Sequence, residues 1–262
     1  MPSQFAELPL MNRDRLIVTG ALAGVVVLSW IALAMMALDM PDPGLDANAI
    51  ATMRPAPWTV GYFTATFIMW VIMMAGMMVP SAAPAILLFD ALQRHAHPGE
   101  RGAFSATAQF TVGYLATWTV FSLAATFAQW GLSAVALLSA AMVGTSPALG
   151  GVLFIAAGIY QLTPLKNACL RQCRSPAQFL VQHRRTGRLG PFLMGLKHGA
   201  YCTGCCWVLM ALLFTFGVMN LLWVAMISVF VLIEKLVPGE ALIAKGSALL
   251  MMIVGGLLLT VG

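Results

Sequence analysis

Long apolar runs broken by short polar segments dominate the chain. Crossing the hydrocarbon of a bilayer takes roughly 20 apolar residues with every backbone polar group bonded inside the segment. Seven stretches meet that need, at approximately 16–38, 59–89, 104–130, 146–163, 192–216, 218–236 and 241–261. The pattern therefore predicts an all-α fold, a polytopic transmembrane helical bundle of about seven spans that forms a single transmembrane domain over residues 1–262. The stretch 131–145 is apolar but short and rich in small residues, which fits an interfacial or re-entrant piece better than an eighth span. The first run, Leu16 to Leu38, exceeds a signal-peptide core and has no convincing small-residue cleavage site after it, so a retained helix is expected.

Local signals refine these elements. Pro80 and Pro84 fall inside the second run and are expected to kink it, because each removes a donor from the helical ladder. Thr163 followed by Pro164 reads as an N-cap and first helical position, so a short helix through Cys173 is expected where the fourth run ends.

Composition agrees with a membrane protein: 60% of the residues are hydrophobic and 9% charged, against about 25% charged in a soluble domain. The net charge of +5 does not point to nucleic acid, because the basic residues cluster in short segments between apolar runs. Segment 39–58 carries Asp39, Asp42 and Asp46 against Arg54, and 131–147 carries no charge. Segment 90–103 carries Arg94 and Arg101, and 164–190 carries Lys166, Arg171, Arg174, Arg184, Arg185 and Arg188. The basic side is the cytoplasmic side by the positive-inside rule, so the N-terminus is expected in the cytoplasm and the protein in a bacterial inner membrane.

The candidate chemistry is concentrated. All five cysteines, Cys169, Cys173, Cys202, Cys205 and Cys206, fall within one part of the chain. Cys169 and Cys173 are spaced to share a helix face, and His198, Cys202 and Cys205 point within about 60° of one another, with Cys206 to one side. If the interfacial helix meets the start of the fifth span, thiolates and an imidazole converge in a set suited to Cu(I), with zinc or an iron–sulfur centre as further possibilities. Met73, Met74, Met77 and Met78 place thioethers on adjoining faces of the second span. Thioethers favour Cu(I), although methionine also serves as a flexible packing residue. Glu234 and Lys235 are ionisable residues near a span end; Glu234 is a further candidate ligand, and pairing with Lys166 or Lys197 is the structural alternative. His95, His97 and His183 lie in basic loops with no third ligand near in sequence. No phosphate-binding glycine loop, H-E-x-x-H or G-x-S-x-G occurs, which removes the commonest ATPase, metalloprotease and serine hydrolase readings.

The runs MMAGMMVPSAAP, YQLTPLKNACLRQCRSP and KHGAYCTGCCWVLMALLFTFGVMNLLW, with EK further on, resemble an uncharacterised bacterial family of predicted metal-binding integral membrane proteins, sometimes labelled copper chaperones. The resemblance implies a copper-trafficking role and marks Met73, Met74, Met77, Met78, Pro80, Ser81, Cys169, Cys173, His198, Cys202, Cys205, Cys206, Asn220, Glu234 and Lys235 as motif positions. The leading expectation is a Cu(I)-binding, non-enzymatic membrane protein that exchanges copper with a donor protein or a cuproenzyme. The rival, of a different class, is a thiol–disulfide oxidoreductase with Cys202 and Cys205 as its active pair and Cys169 and Cys173 as a relay.

Overall fold

A computed structural model describes residues 12–38, 57–96, 102–138, 142, 144, 146–237 and 240–261. The described residues are almost entirely helical, and the long apolar runs form the long helices. Helix α1 covers Asn12–Leu38, α2 Val60–Ala96, α3 Gly102–Ala134, α4 Pro147–Gln161 and α5 Pro164–Arg174. They are followed by α6 Pro176–Gln182, α7 Gly190–Ala211, α8 Leu213–Phe216, α9 Leu221–Leu236 and α10 Glu240–Val261. Asp39, Asp42, Asp46, Arg54, His97 and Arg101 lie outside the described residues.

Among the described residues, five segments are long and apolar enough to cross a membrane, and six if α4 and α5, which meet at a 67° bend, count as one broken span. The seven-span expectation is not reached by length. Helix α9 has 16 residues, about 24 Å of rise against a hydrocarbon thickness of about 30 Å. Helix α4, with 15 residues, is equally short. Both stop at one buried polar station: Gln161 at the end of α4, Glu234 near the end of α9 and Lys166 on α5. An apolar run reads the same in sequence whether it ends in water or on a buried charge.

The end of the fourth run behaves as the residues dictate. The Thr163 hydroxyl accepts from the Lys166 backbone N–H at 3.3 Å, and Pro164 opens α5. Helix α2 runs continuously for 37 residues through both Pro80 and Pro84, so the expected kink does not break it. In that turn the carbonyl of Met78 accepts from the Ser81 hydroxyl at 2.9 Å and from the Tyr114 hydroxyl at 3.0 Å. The segment 131–145 supplies the last turn of α3, and its described residues beyond Ala134 are non-helical. Its described part packs against the turn after α7, where Gly144 N–H donates to the Phe214 carbonyl. No eighth span is present among the described residues of that segment.

The core is built by α2, α3 and α7, with α1 laid on α2 and α10 laid on α4. Helices α3 and α7 approach most closely where Gly113 faces the backbone of Phe192 and Gly195 faces the backbone of Phe110. The Thr117 hydroxyl bridges the pair by donating to the Leu196 carbonyl at 3.0 Å. A Cβ at Gly195 would meet the Phe110 carbonyl, which cannot move without displacing the helix. Gly195→Ala is therefore expected to cost about 3 kcal/mol or more, read as a lowered unfolding temperature in detergent; an unchanged transition would contradict this packing.

Candidate metal centre

The α3–α7 contact sets α7 with its cysteine face toward the interior. Cys202, Cys205 and Cys206 are each 1% exposed. Cys202 lies at the junction of four helices. Its sulfur is 3.1 Å from the Tyr114 hydroxyl on α3 and accepts from Lys235 Nζ on α9 at 3.0 Å. Lys235 also donates to Ser81 Oγ on α2 at 2.8 Å. The thiols of Cys205 and Cys206 each donate to the Cys202 carbonyl at 3.0 Å, as a helical thiol does to the preceding turn.

Helix α5 carries the second cysteine pair to this junction. Cys173 stands near Cys202 and Cys205, on the face of α5 that packs against α7. Cys169 packs over Gly204, where a Cβ would come within 2.8 Å of its sulfur. Tyr160 of α4 ties the layer together by donating to the Gly204 carbonyl. All five cysteines are free thiols. Helices α5 and α7 thus pack against each other through their cysteine-bearing faces.

His198 stands one turn before Cys202 and is 2% exposed. Its ring packs against Phe110, Tyr114 and Phe179, with centroids 6.0, 5.9 and 4.8 Å away. Its Nδ1 has no hydrogen-bond partner among the described residues. A buried, unpartnered imidazole nitrogen is unusual, and ligation of an ion is one of the few ways to satisfy it.

Met73, Met74, Met77 and Met78 are all buried, together with Met69 and Met210. They form part of the core beside the thiols, and Met78 shares Tyr114 and Ser81 with the cluster through its carbonyl. Among the described residues, no three His, Cys, Asp or Glu side chains stand in an arrangement poised to hold one ion. The thiols of Cys205 and Cys206 point at the Cys202 carbonyl, and the Cys202 sulfur faces the Lys235 ammonium and the Tyr114 hydroxyl.

Glu234 turns away from the thiols. Both of its carboxylate oxygens accept from Lys166 Nζ at 2.8 Å, and Gln161 Nε2 donates to one of them at 2.8 Å. Gln161 also accepts from Lys166 through its amide oxygen. Arg174 closes the end of α9 by donating to the carbonyls of Glu234 and Val237 at 2.7 Å each. Glu234 and Lys235 thus face two adjacent polar clusters, the ion pair and the thiols. His95 is exposed at the end of α2, and His183 stacks on Phe179.

Sequence reasoning reaches two of these residues in part and one not at all. Lys166 reads there both as a loop charge and as a partner for Glu234, and the structure takes the second: it is 1% exposed and paired with Glu234. Lys235 was expected to pair or snorkel at a helix end, yet it is buried against sulfur. Tyr114 carried no signal beyond a polar atom within an apolar run. The Glu-Lys pair at the end of a span was the one available hint for Lys235.

A family described as PpoB2, copper chaperone, matches residues 67–258. That range takes in α2 from its first turns through α10 and includes every cysteine, the methionine run, Tyr114 and Lys235. No curated protein and no solved structure matches the chain. With well over half of its length matched, the chain belongs to the copper chaperone family.

Proposed function

We propose that this protein is a membrane Cu(I) carrier that takes up copper on buried thiolates and passes it to a partner, such as a cuproenzyme, by ligand exchange. The observation that carries this reading is the packing of α5 on α7, which sets Cys169 and Cys173 against the helix that bears the buried Cys202, Cys205 and Cys206, with the unpartnered His198 one turn away. This donor set is soft and nearly free of oxygen, which suits Cu(I) better than hard cations. Copper is cargo here, so the chain needs no turnover chemistry. Each thiol that takes the ion gives up its proton, and neighbouring donors then replace one another so that the ion is not released to water. Cys202, Cys205 and His198 are the core ligands, with Cys173 completing the set and Cys169 receiving. Met73, Met74, Met77 and Met78 adjoin the thiols as thioether waiting positions. Glu234 serves this site from the side by fixing α9 through Lys166.

The exposed basic residues Arg171, Arg184, Arg185 and Arg188 support an orientation with the α5–α6 side and the N-terminus in the cytoplasm. Exposed apolar side chains such as Leu28, Val120 and Leu250 support residence in a bilayer, for which the bacterial inner membrane is the proposed site.

Anaerobic purification in detergent, with copper and free thiols measured on one sample, tests the reading. Near-stoichiometric copper withheld from a chromophoric Cu(I) chelator, with the thiols reduced, is expected. A metal-free protein that cycles between Cys202–Cys205 and Cys169–Cys173 disulfides would overturn it in favour of a thiol–disulfide oxidoreductase.

A further inference from the structure

We propose that Lys235 makes the thiol cluster selective for a univalent cation over a divalent one, acting as a fixed positive charge inside the site. The inference rests on the copper-carrier reading and adds the residue that sets charge selectivity.

Lys235 is 6% exposed. Its ammonium donates to Cys202 Sγ at 3.0 Å and Ser81 Oγ at 2.8 Å, and it also interacts electrostatically with Cys205, Cys206 and Cys173. Ser81 and the end of α9 hold it in place. The nearest other buried charges, Lys166 and Glu234, form a pair 2.8 Å apart and sum to zero, so they do not offset it.

Ligand type alone does not exclude zinc, because thiolates bind Zn(II) as well as Cu(I). Charge separates the two ions. While Cys202 and Cys205 alone hold the ion and Cys173 keeps its proton, two thiolates and one ammonium carry a net charge of −1, which a univalent ion neutralises. A divalent ion leaves an uncompensated positive charge in a buried site, where the low dielectric magnifies the repulsion from the ammonium. Lys235 is thus a specificity-determining residue that need not touch the bound ion.

The test compares affinities for Cu(I) and Co(II) in the full-length protein under anaerobic conditions. Co(II) is the divalent probe because its thiolate complexes absorb in the near ultraviolet. Lys235→Met and Lys235→Gln are expected to lower the ratio of Cu(I) to Co(II) affinity on the order of 100-fold. Lys235→Arg, which keeps the charge, is expected to hold the ratio near that of the unsubstituted protein. The ratio cancels both the cost of ionising the thiols and any partial loss of folded protein, since these affect the two ions alike. An unchanged ratio in the Met and Gln variants, or an equal fall in the Arg variant, overturns the role of the charge. Binding of neither ion by the unsubstituted protein overturns the carrier reading and this inference with it.

Discussion

Cys202→Ser is expected to weaken Cu(I) binding on the order of a thousandfold while leaving the fold assembled. Loss of a group that only supports a ligand costs about 10–100-fold in metal affinity, and loss of the ligand itself costs more. Cys202 is the most connected thiol in the protein. It touches Tyr114 and Lys235, adjoins Cys173, and its carbonyl holds the thiols of Cys205 and Cys206. Serine keeps the carbonyl and provides an oxygen for Lys235, so the packing survives while the soft donor is lost. Cys169→Ser is the internal comparison. Cys169 is only half-buried and packs over Gly204, so its replacement is expected to cost much less affinity. Competition against a Cu(I) chelator reads both variants, and equal losses would contradict the ranking.

The largest expected effect on stability is that of Lys166→Met. Glu234 would keep Gln161 as a donor but lose the ammonium that holds both of its oxygens. An uncompensated buried charge of this kind costs about 3–5 kcal/mol, whereas replacing both members of a buried pair by apolar residues of similar volume is often neutral. Lys166→Met is therefore expected to lower the unfolding temperature strongly, and Lys166→Met combined with Glu234→Leu to restore most of it. The pair joins the bent α4–α5 unit to α9, the helix that carries Lys235. A single variant as stable as the parent would show that the pair does not hold these elements together.

The helices were legible in the chain because sustained apolar runs permit little else, and the α5 boundary was legible because Thr163 and Pro164 act locally. The meeting of α5 and α7 was legible as a possibility, since cysteines spaced along one helix face gain a role by facing others. What escaped was tertiary. A lysine in a polar segment reads equally as solvated or paired, and only the fold selects Lys166 over Lys197 as the partner of Glu234. A lysine at a helix end looks like an interfacial anchor until the thiols opposite are in view, as with Lys235. The lengths of α4 and α9 escaped for the same reason: both are apolar along their length, and only the buried charges at their ends show where they stop. Helix α2 runs unbroken through Pro80 and Pro84, and Tyr114 and Ser81 donate to the Met78 carbonyl in that turn.

The most direct measurement is X-ray absorption at the copper K-edge of the full-length protein, loaded anaerobically with Cu(I) and freed of loose copper by chelator. A reduced edge with a first shell dominated by sulfur, weakened in Cys202→Ser, is predicted. A first shell of nitrogen and oxygen alone, or a sulfur shell unchanged by Cys202→Ser, would contradict copper carriage on the buried thiols.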